Sequence, residues 1–176
     1  IHRAAIQRPD ATKTRKTRWA IIRNTYPELI STTIKTWADW LPESVCPITY
    51  AAPINGRFRQ ILGDGTKIDC EVLFLALDLP KDVKKLLSLE LTGAWVNEAR
   101  ELDKSIIDTV TSRVGRYPAK MDGGPSWSGV LLDTNPPDSD HWWYALAEED
   151  RPEGWRFFRQ PGAVIKLDDG KYIENP

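Results

Sequence analysis

The sequence predicts an α/β protein built on a mainly parallel sheet with helices on both faces. Three observations lead to that class. Short apolar runs bounded by polar residues recur at 18–23, 93–96 and 129–132, as strands buried on both faces require. Segments with helical apolar spacing lie between them. The chain has 176 residues, 41% hydrophobic and 28% charged, enough to bury a sizeable core.

The elements follow in order. Trp19-Ala20-Ile21-Ile22 forms the first buried strand, flanked by Arg18 and Arg23. Thr25 and Glu28 then have capping-box spacing, and the helix they start puts Ile30, Ile34, Trp37 and Leu41 on one face before Pro42 stops it. Residues 58–62 and 66–77 flank Gly63-Asp64-Gly65 and read as a β-hairpin. Pro80 opens a helix carrying Val83, Leu86 and Leu87. The second buried strand, 93–96, ends in Asn97-Glu98, and Ile106, Ile107, Val110 and Val114 suit the helix after it. The third, 129–132, ends in Asp133-Thr134-Asn135. A helix over 141–147 and a short strand over 155–159 complete the pattern. No turn-rich stretch, Asn135-Pro136-Pro137 included, is long enough for an interdomain linker, so one domain is expected.

Composition excludes several classes. The longest apolar run, 72–77, is far too short to span a membrane, and IHRAAIQRPD has no signal-peptide pattern. Cys46 and Cys70 are too few for a disulfide scaffold, or, even with His2 and His141, for a four-ligand zinc site. A reducing interior is expected and no residue is assigned to a metal. Because the chain opens at Ile1 and its one methionine is Met121, it reads as a piece of a longer protein.

Net charge is −1, but the charges are uneven. Arg8, Lys13, Arg15, Lys16, Arg18 and Arg23 face a single acid, Asp10, whereas 133–153 is strongly acidic. Each cluster reads either as a solvated surface or, for the basic one, as a patch for nucleic acid phosphates.

In parallel sheets ligands sit beyond the carboxyl ends of the strands. Arg23-Asn24, Asn97-Glu98 and Thr134-Asn135 all stand there. An acid after an apolar strand can deprotonate the water that attacks a γ-phosphate, and Glu98 fits that role. Taken alone, a Glu after a strand is more often a helix N-cap neighbour or a surface acid. Hydroxyl and amide groups at Thr134-Asn135 can bond phosphate and water, although Asn135-Pro136 also reads as a plain turn.

Four segments in order, RWAIIRNTYPELISTTIKTWADWLP (18–42), LLSLELTGAWVNEAREL (86–102), TSRVGRYP (111–118) and LLDTNPP (131–137), resemble the large terminase subunit of tailed bacteriophages. The ending DGKYIENP is similar to the stretch that closes that family's ATPase region. The resemblance implies a three-layer P-loop NTPase of the additional-strand (ASCE) type over 1–176, with the Walker A segment upstream and the nuclease domain downstream. It implies ATP and Mg²⁺ as cofactors, and ATP-driven packaging of double-stranded viral DNA into a procapsid. A homo-oligomeric ring with portal protein and small terminase subunit as partners follows, in the host cytoplasm and without a membrane.

By this resemblance, 93–98 is the Walker B strand, Glu98 the catalytic carboxylate and Thr134-Asn135 the coupling motif. Arg23 and Asn24 stand near the nucleotide, though Arg23 also reads as an exposed strand-end arginine. Arg113 and Arg116, after the 106–114 helix, are candidates for an arginine finger acting in trans, or surface arginines near a helix end.

Two departures stand out. G-x-x-x-x-G-K-[ST] is absent from these 176 residues, so Ile1 to Ile6 would be the tail of the P-loop helix and the chain alone is expected not to hydrolyse ATP. Asn97 stands where Walker B strands usually carry Asp, which removes a charge from the Mg²⁺ side. The alternative reading is therefore a catalytically inactive α/β domain kept for assembly or DNA binding. A nuclease is a third reading, but the strands carry no cluster of acids able to bind two metals. His141 lacks partners at ligand spacing, and Trp142-Trp143 reads as one buried and one half-exposed core aromatic.

Overall fold

The computed structural model describes residues 2–77, 80–160, 162–168 and 170–174. Ile1, in the expected helix tail, lies outside the described residues, as do Asp169, Asn175 and Pro176 of the closing stretch. The chain divides into two compact units, Ile1–Pro136 and Pro137–Pro176, where the sequence predicts one domain. The division falls within the Asn135-Pro136-Pro137 turn.

The first unit begins with a short helix, α1 (His2–Ala5), and contains a six-stranded sheet in the order β2-β3-β4-β1-β5-β6. Its strands are β1 (Thr14–Arg23), β2 (Ile48–Thr49), β3 (Asn55–Ile61), β4 (Lys67–Ala76), β5 (Gly93–Asn97) and β6 (Gly129–Asp133). β4, β1, β5 and β6 run parallel, while β3 and β2 add an antiparallel edge. The expected class holds, with the predicted hairpin supplying that edge.

Period-two alternation buries both faces of the central strands. Ile21, Val72 and Phe74 pack in one cluster with Leu29 and Ile34. The opposite parity, Ala20, Ile22, Ala94 and Val96, is also fully buried. The remaining core includes Leu86 of α4 (Val83–Leu87) and Ile106, Ile107 and Val110 of α5 (Lys104–Arg113). Leu87, expected on the buried face of α4, is 53% exposed, because a helix this short buries little more than one position.

The helix after β1 has a phase that the sequence pattern misses. α2 (Tyr26–Glu28) and α3 (Lys35–Trp40) are joined by a π-helical segment, Leu29–Ile34. The wider π turn rotates the buried face, so Leu29, Thr33 and Ile34 are buried while Ile30, Trp37 and Leu41 pack only partly. Burying Leu29 and Ile34 is worth about 1.5–3 kcal/mol each. The capping box forms: Thr25 Oγ1 accepts the Glu28 amide at 3.4 Å and donates to its carboxylate at 2.8 Å.

β6 departs from expectation. It is an edge strand with Leu131 53% exposed, not a third buried strand. Gly93, at the start of β5, is required by close approach: a Cβ there would meet the Trp19 ring at 2.8 Å and the Gly129 carbonyl at 3.1 Å. Trp19 in turn stacks on Trp127, centroids 5.6 Å apart.

The basic stretch is largely neutralised within the first unit. Lys16 pairs with Asp10 at 2.9 Å, Arg15 with Asp64 at 2.7 Å and Arg18 with Glu71 at 2.6 Å. Arg18 also lies over the Tyr117 ring, 4.3 Å from its centroid. These pairs favour the solvated-surface reading over a phosphate-binding patch.

The second unit holds α6 (Trp142–Tyr144), a π-helical continuation Ala145–Asp150, and a hairpin of β7 (Val164–Lys166) and β8 (Tyr172–Glu174). His141 caps the helix, its Nδ1 accepting the Trp143 amide at 3.1 Å. Trp142 and Trp143 are both half-buried, so neither is the expected core residue. Residues 155–159 form no strand; Trp155 and Phe157 stack instead, 5.9 Å apart. No helix among the described residues is long and apolar enough to cross a membrane.

Candidate functional site

Parallel pairing aligns the carboxyl ends of β1, β5 and β6. Ile22 is the register partner of Val96, and Asn97 that of Asp133. Arg23-Asn24, Asn97-Glu98 and Thr134-Asn135 therefore lie at one edge of the sheet. A cavity of about 340 Å³ opens there. Arg23, Asn97, Glu98 and Asp133 line it, with Trp95 and the threonines Thr32, Thr33 and Thr36 of the helical run.

Glu98 is held by backbone geometry. The chain leaves β5 and turns through Glu98 in the left-handed region, φ 53° and ψ 54°, which a non-glycine residue adopts at a cost of about 1 kcal/mol. Glu98 Oε1 accepts a long hydrogen bond, 3.4 Å, from Asn135 Nδ2. The catalytic and coupling candidates thus meet across two adjacent strands.

Asn97 is engaged at both ends of its amide. Its Oδ1 accepts the Thr33 hydroxyl at 2.9 Å, and its Nδ2 donates to Asp133 Oδ2 at 2.9 Å. The other Asp133 oxygen accepts Trp95 Nε1 at 3.0 Å. A hydroxyl, an amide and a carboxylate therefore run in a line from the helix through β5 to β6.

Arg23 is buried, its side chain 8% exposed, and is not the exposed strand-end arginine of the alternative reading. It pairs with Glu101 at 2.5 Å and with Glu28 at 3.8 Å. Its Nε is buried without a partner. Asn24 does not line the cavity, and its Oδ1 accepts the Thr25 amide at 2.7 Å. Thr134 donates to the Asn135 carbonyl at 3.2 Å and does not line the cavity.

Arg113 and Arg116 lie at the other end of the sheet. Arg113 donates to the Leu87 carbonyl at 2.8 Å and Arg116 to the Ser112 carbonyl at 3.0 Å. Their neighbour Val114 bridges Leu91, which precedes β5. The structure does not bring them to the cavity.

Sequence reasoning missed Thr33 and assigned no role to Asp133. Asp133 was legible as an acid ending an apolar run. Thr33 carried no signal, since only the π segment turns it inward. A second cavity of about 240 Å³ lies beside β3 and β4. Its one acid, Asp69, is already paired with Arg57 at 2.6 Å and Arg59 at 3.4 Å, so it offers no free catalytic group.

These features define an α/β protein with a site of mixed charge at the carboxyl edge of its parallel strands. Among solved structures, the chain is similar to the large terminase of a thermophilic bacteriophage, with TM-score 0.57 and 12% identity over 77% of this chain and 30% of that one. It is also similar to the same terminase in complex with ADP, with TM-score 0.56 and 13% identity over the same shares, 77% and 30%. The chain thus spans about 30% of the length of these terminases, and at such identity the likeness is one of fold. No protein-family model and no curated protein matches the sequence significantly. The resemblance to large terminases read from the sequence is matched in the fold.

Proposed function

We propose that this chain is the ATPase part of a DNA-packaging motor of the large-terminase kind, an additional-strand P-loop NTPase with Glu98 as its catalytic carboxylate. One observation carries the reading: Glu98, Asn135 and the buried Arg23 converge at the carboxyl edge, where such enzymes hold the phosphates. The ADP complex of the thermophilic phage terminase supports nucleotide as the ligand class. Double-stranded DNA as cargo, a portal, a small terminase subunit and a ring of copies belong to this reading.

The chemistry assigned to the chain is limited to its own groups. Glu98 accepts the proton of the attacking water, and Asn135 orients that water by its amide. Arg23, a cation in the cavity wall, offsets phosphate charge. The donor set of carboxylate, amide and hydroxyl oxygens fits Mg²⁺, a hard cation. Among the described residues no group of three or more His, Cys, Asp or Glu is placed to hold a metal by itself. That suits an ion shared between one or two protein oxygens and the phosphates. Mg²⁺ supplies charge neutralisation to the phosphates when bound with ATP.

The test is ATP hydrolysis by the intact gene product with and without Glu98→Gln. A loss of about 10²-fold or more in turnover, with nucleotide still bound, supports the assignment. The second reading, an inactive domain retained for assembly or DNA binding, is favoured by one observation: Asn97 in place of an acid. Absence of turnover in the unmodified intact protein would decide for it.

A further inference from the structure

We propose that Asp133 on β6 supplies the metal-facing carboxylate that β5 lacks, with Asn97 as its positioning residue. The proposal rests on the ATPase reading above and deepens it.

A divalent cation carried by a nucleotide needs an anionic oxygen from the protein, or it depends on the phosphates alone. β5 presents a neutral amide at Asn97, immediately before Glu98. Register places Asp133 directly beside it on the neighbouring parallel strand. Adjacent strands are about 4.8 Å apart, within the reach of one side chain, so a carboxylate on β6 can serve the same space as one on β5.

Charge separates the ligand from the support, and the hydrogen bonds tie the two together. Asn97 spends its oxygen on Thr33 and its amino group on Asp133. Asp133 receives two neutral donors, Trp95 Nε1 and Asn97 Nδ2, one on each oxygen. Each carboxylate oxygen has a second acceptor site, so both stay competent toward a cation. Among the described residues Asp133 forms no ion pair, and its charge is left unneutralised at the cavity.

The cavity also carries a buried cation. Arg23 is nine-tenths buried and lines it, and its Nε has no partner. A guanidinium and a carboxylate without an ion pair thus line the same cavity, the polarity that a metal–phosphate pair requires. The second line of Asp133 contacts, to Trp95, fixes the carboxylate against rotation, as orienting partners of metal ligands do.

The test uses the intact gene product with Mn²⁺ as the probe, read by electron paramagnetic resonance in the presence of ADP. Fluorescent ADP is titrated in parallel without metal. Asp133→Asn should weaken Mn²⁺ binding to the ADP complex by about 10-fold or more, leaving metal-free ADP affinity within about two-fold. The exchange Asn97→Asp with Asp133→Asn returns the charge to β5 and should restore Mn²⁺ affinity to within about three-fold of the original. Unchanged Mn²⁺ affinity in Asp133→Asn would overturn the proposal. So would an equal loss of metal-free ADP affinity, which would make Asp133 a structural tie, or failure of the exchange variant to restore binding while its circular dichroism is unchanged. If the unmodified protein binds no ADP with or without metal, the ATPase reading itself falls, a result distinct from all of these.

Discussion

Asn135 Nδ2 donates to Glu98 Oε1 at 3.4 Å, joining the turn after β6 to the turn after β5. The contact is at the long end of the hydrogen-bond range, as catalytic contacts often are before substrate tightens them. Asn135→Ala in the intact gene product should therefore reduce turnover by about 10²-fold, the loss of one oriented donor of about 3 kcal/mol. Nucleotide affinity should change by no more than about two-fold, since an exposed amide adds no charge to the site. Titration with a fluorescent nucleotide beside steady-state hydrolysis separates the two. Equal losses in both would make Asn135 a simple binding residue.

Backbone strain at Glu98 gives a second expectation. With φ at 53°, glycine fits this position better than any residue carrying a Cβ. Glu98→Gly should be more stable than Glu98→Ala by about 1 kcal/mol, and both should lack hydrolysis. Urea midpoints of the two variants measure it. If the alanine variant is equally stable, the left-handed turn costs nothing and the strain is not real.

Arg23 and Glu101 form a pair in which one partner is buried and the other is not, at 8% and 34% side-chain exposure. Removing the acid leaves the guanidinium underpaired in the core. Glu101→Ala should destabilise by about 2 kcal/mol, between the values for exposed and fully buried pairs. Replacing both, Arg23→Met with Glu101→Leu, should recover most of that loss, because no charge is then stranded. Denaturant unfolding of the three variants decides, and a Glu101→Ala cost under about 0.5 kcal/mol would assign Arg23 to Glu28 instead.

Acid should loosen the sheet through Asp64. The Thr66 hydroxyl, then the Thr66 amide and Arg15, lower its pKa from 3.8 to about 2. A folded pKa below the unfolded one means the stabilisation is complete above the unfolded value and is lost as pH falls through the folded one. Stability should fall between about pH 4 and pH 2, and Asp64→Asn should make that fall shallower. Asp69, held low mainly by Arg57, and Asp10, held low by the Thr12 hydroxyl, act in the same direction. Urea midpoints across this pH window test the assignment.

Much of the fold was legible because local pattern and tertiary role coincide. The apolar runs that became β1 and β5 had to be buried on both faces, and a run of that kind admits few other folds. Turn chemistry at Gly63-Asp64-Gly65 placed the β3–β4 hairpin, and Thr25 with Glu28 placed the helix start. Where the pattern misled, the cause was position in the sheet. The apolar run 129–132 looks like a central strand, yet β6 is at the edge. Residues 155–159 are aromatic enough for a strand, but they have no pairing partner.

For the site, the strand-end dyads were visible because parallel strands place all their carboxyl ends at one edge. Sequence alone thus determined that the strand-end dyads gather at one edge and that Glu98 stands on it. Tertiary structure decided the rest. It turned Asn24 and Thr134 onto the backbone, left Arg113 and Arg116 at the far end, and paired Arg15 and Arg18 of the basic stretch with acids from distant segments. It also brought Thr33 and Asp133 to Asn97 from residues 64 and 36 positions away in the chain. The reason is physical: a side chain's type is written locally, but its partner is set by strand register and helix phase, and both depend on the packing of the whole sheet.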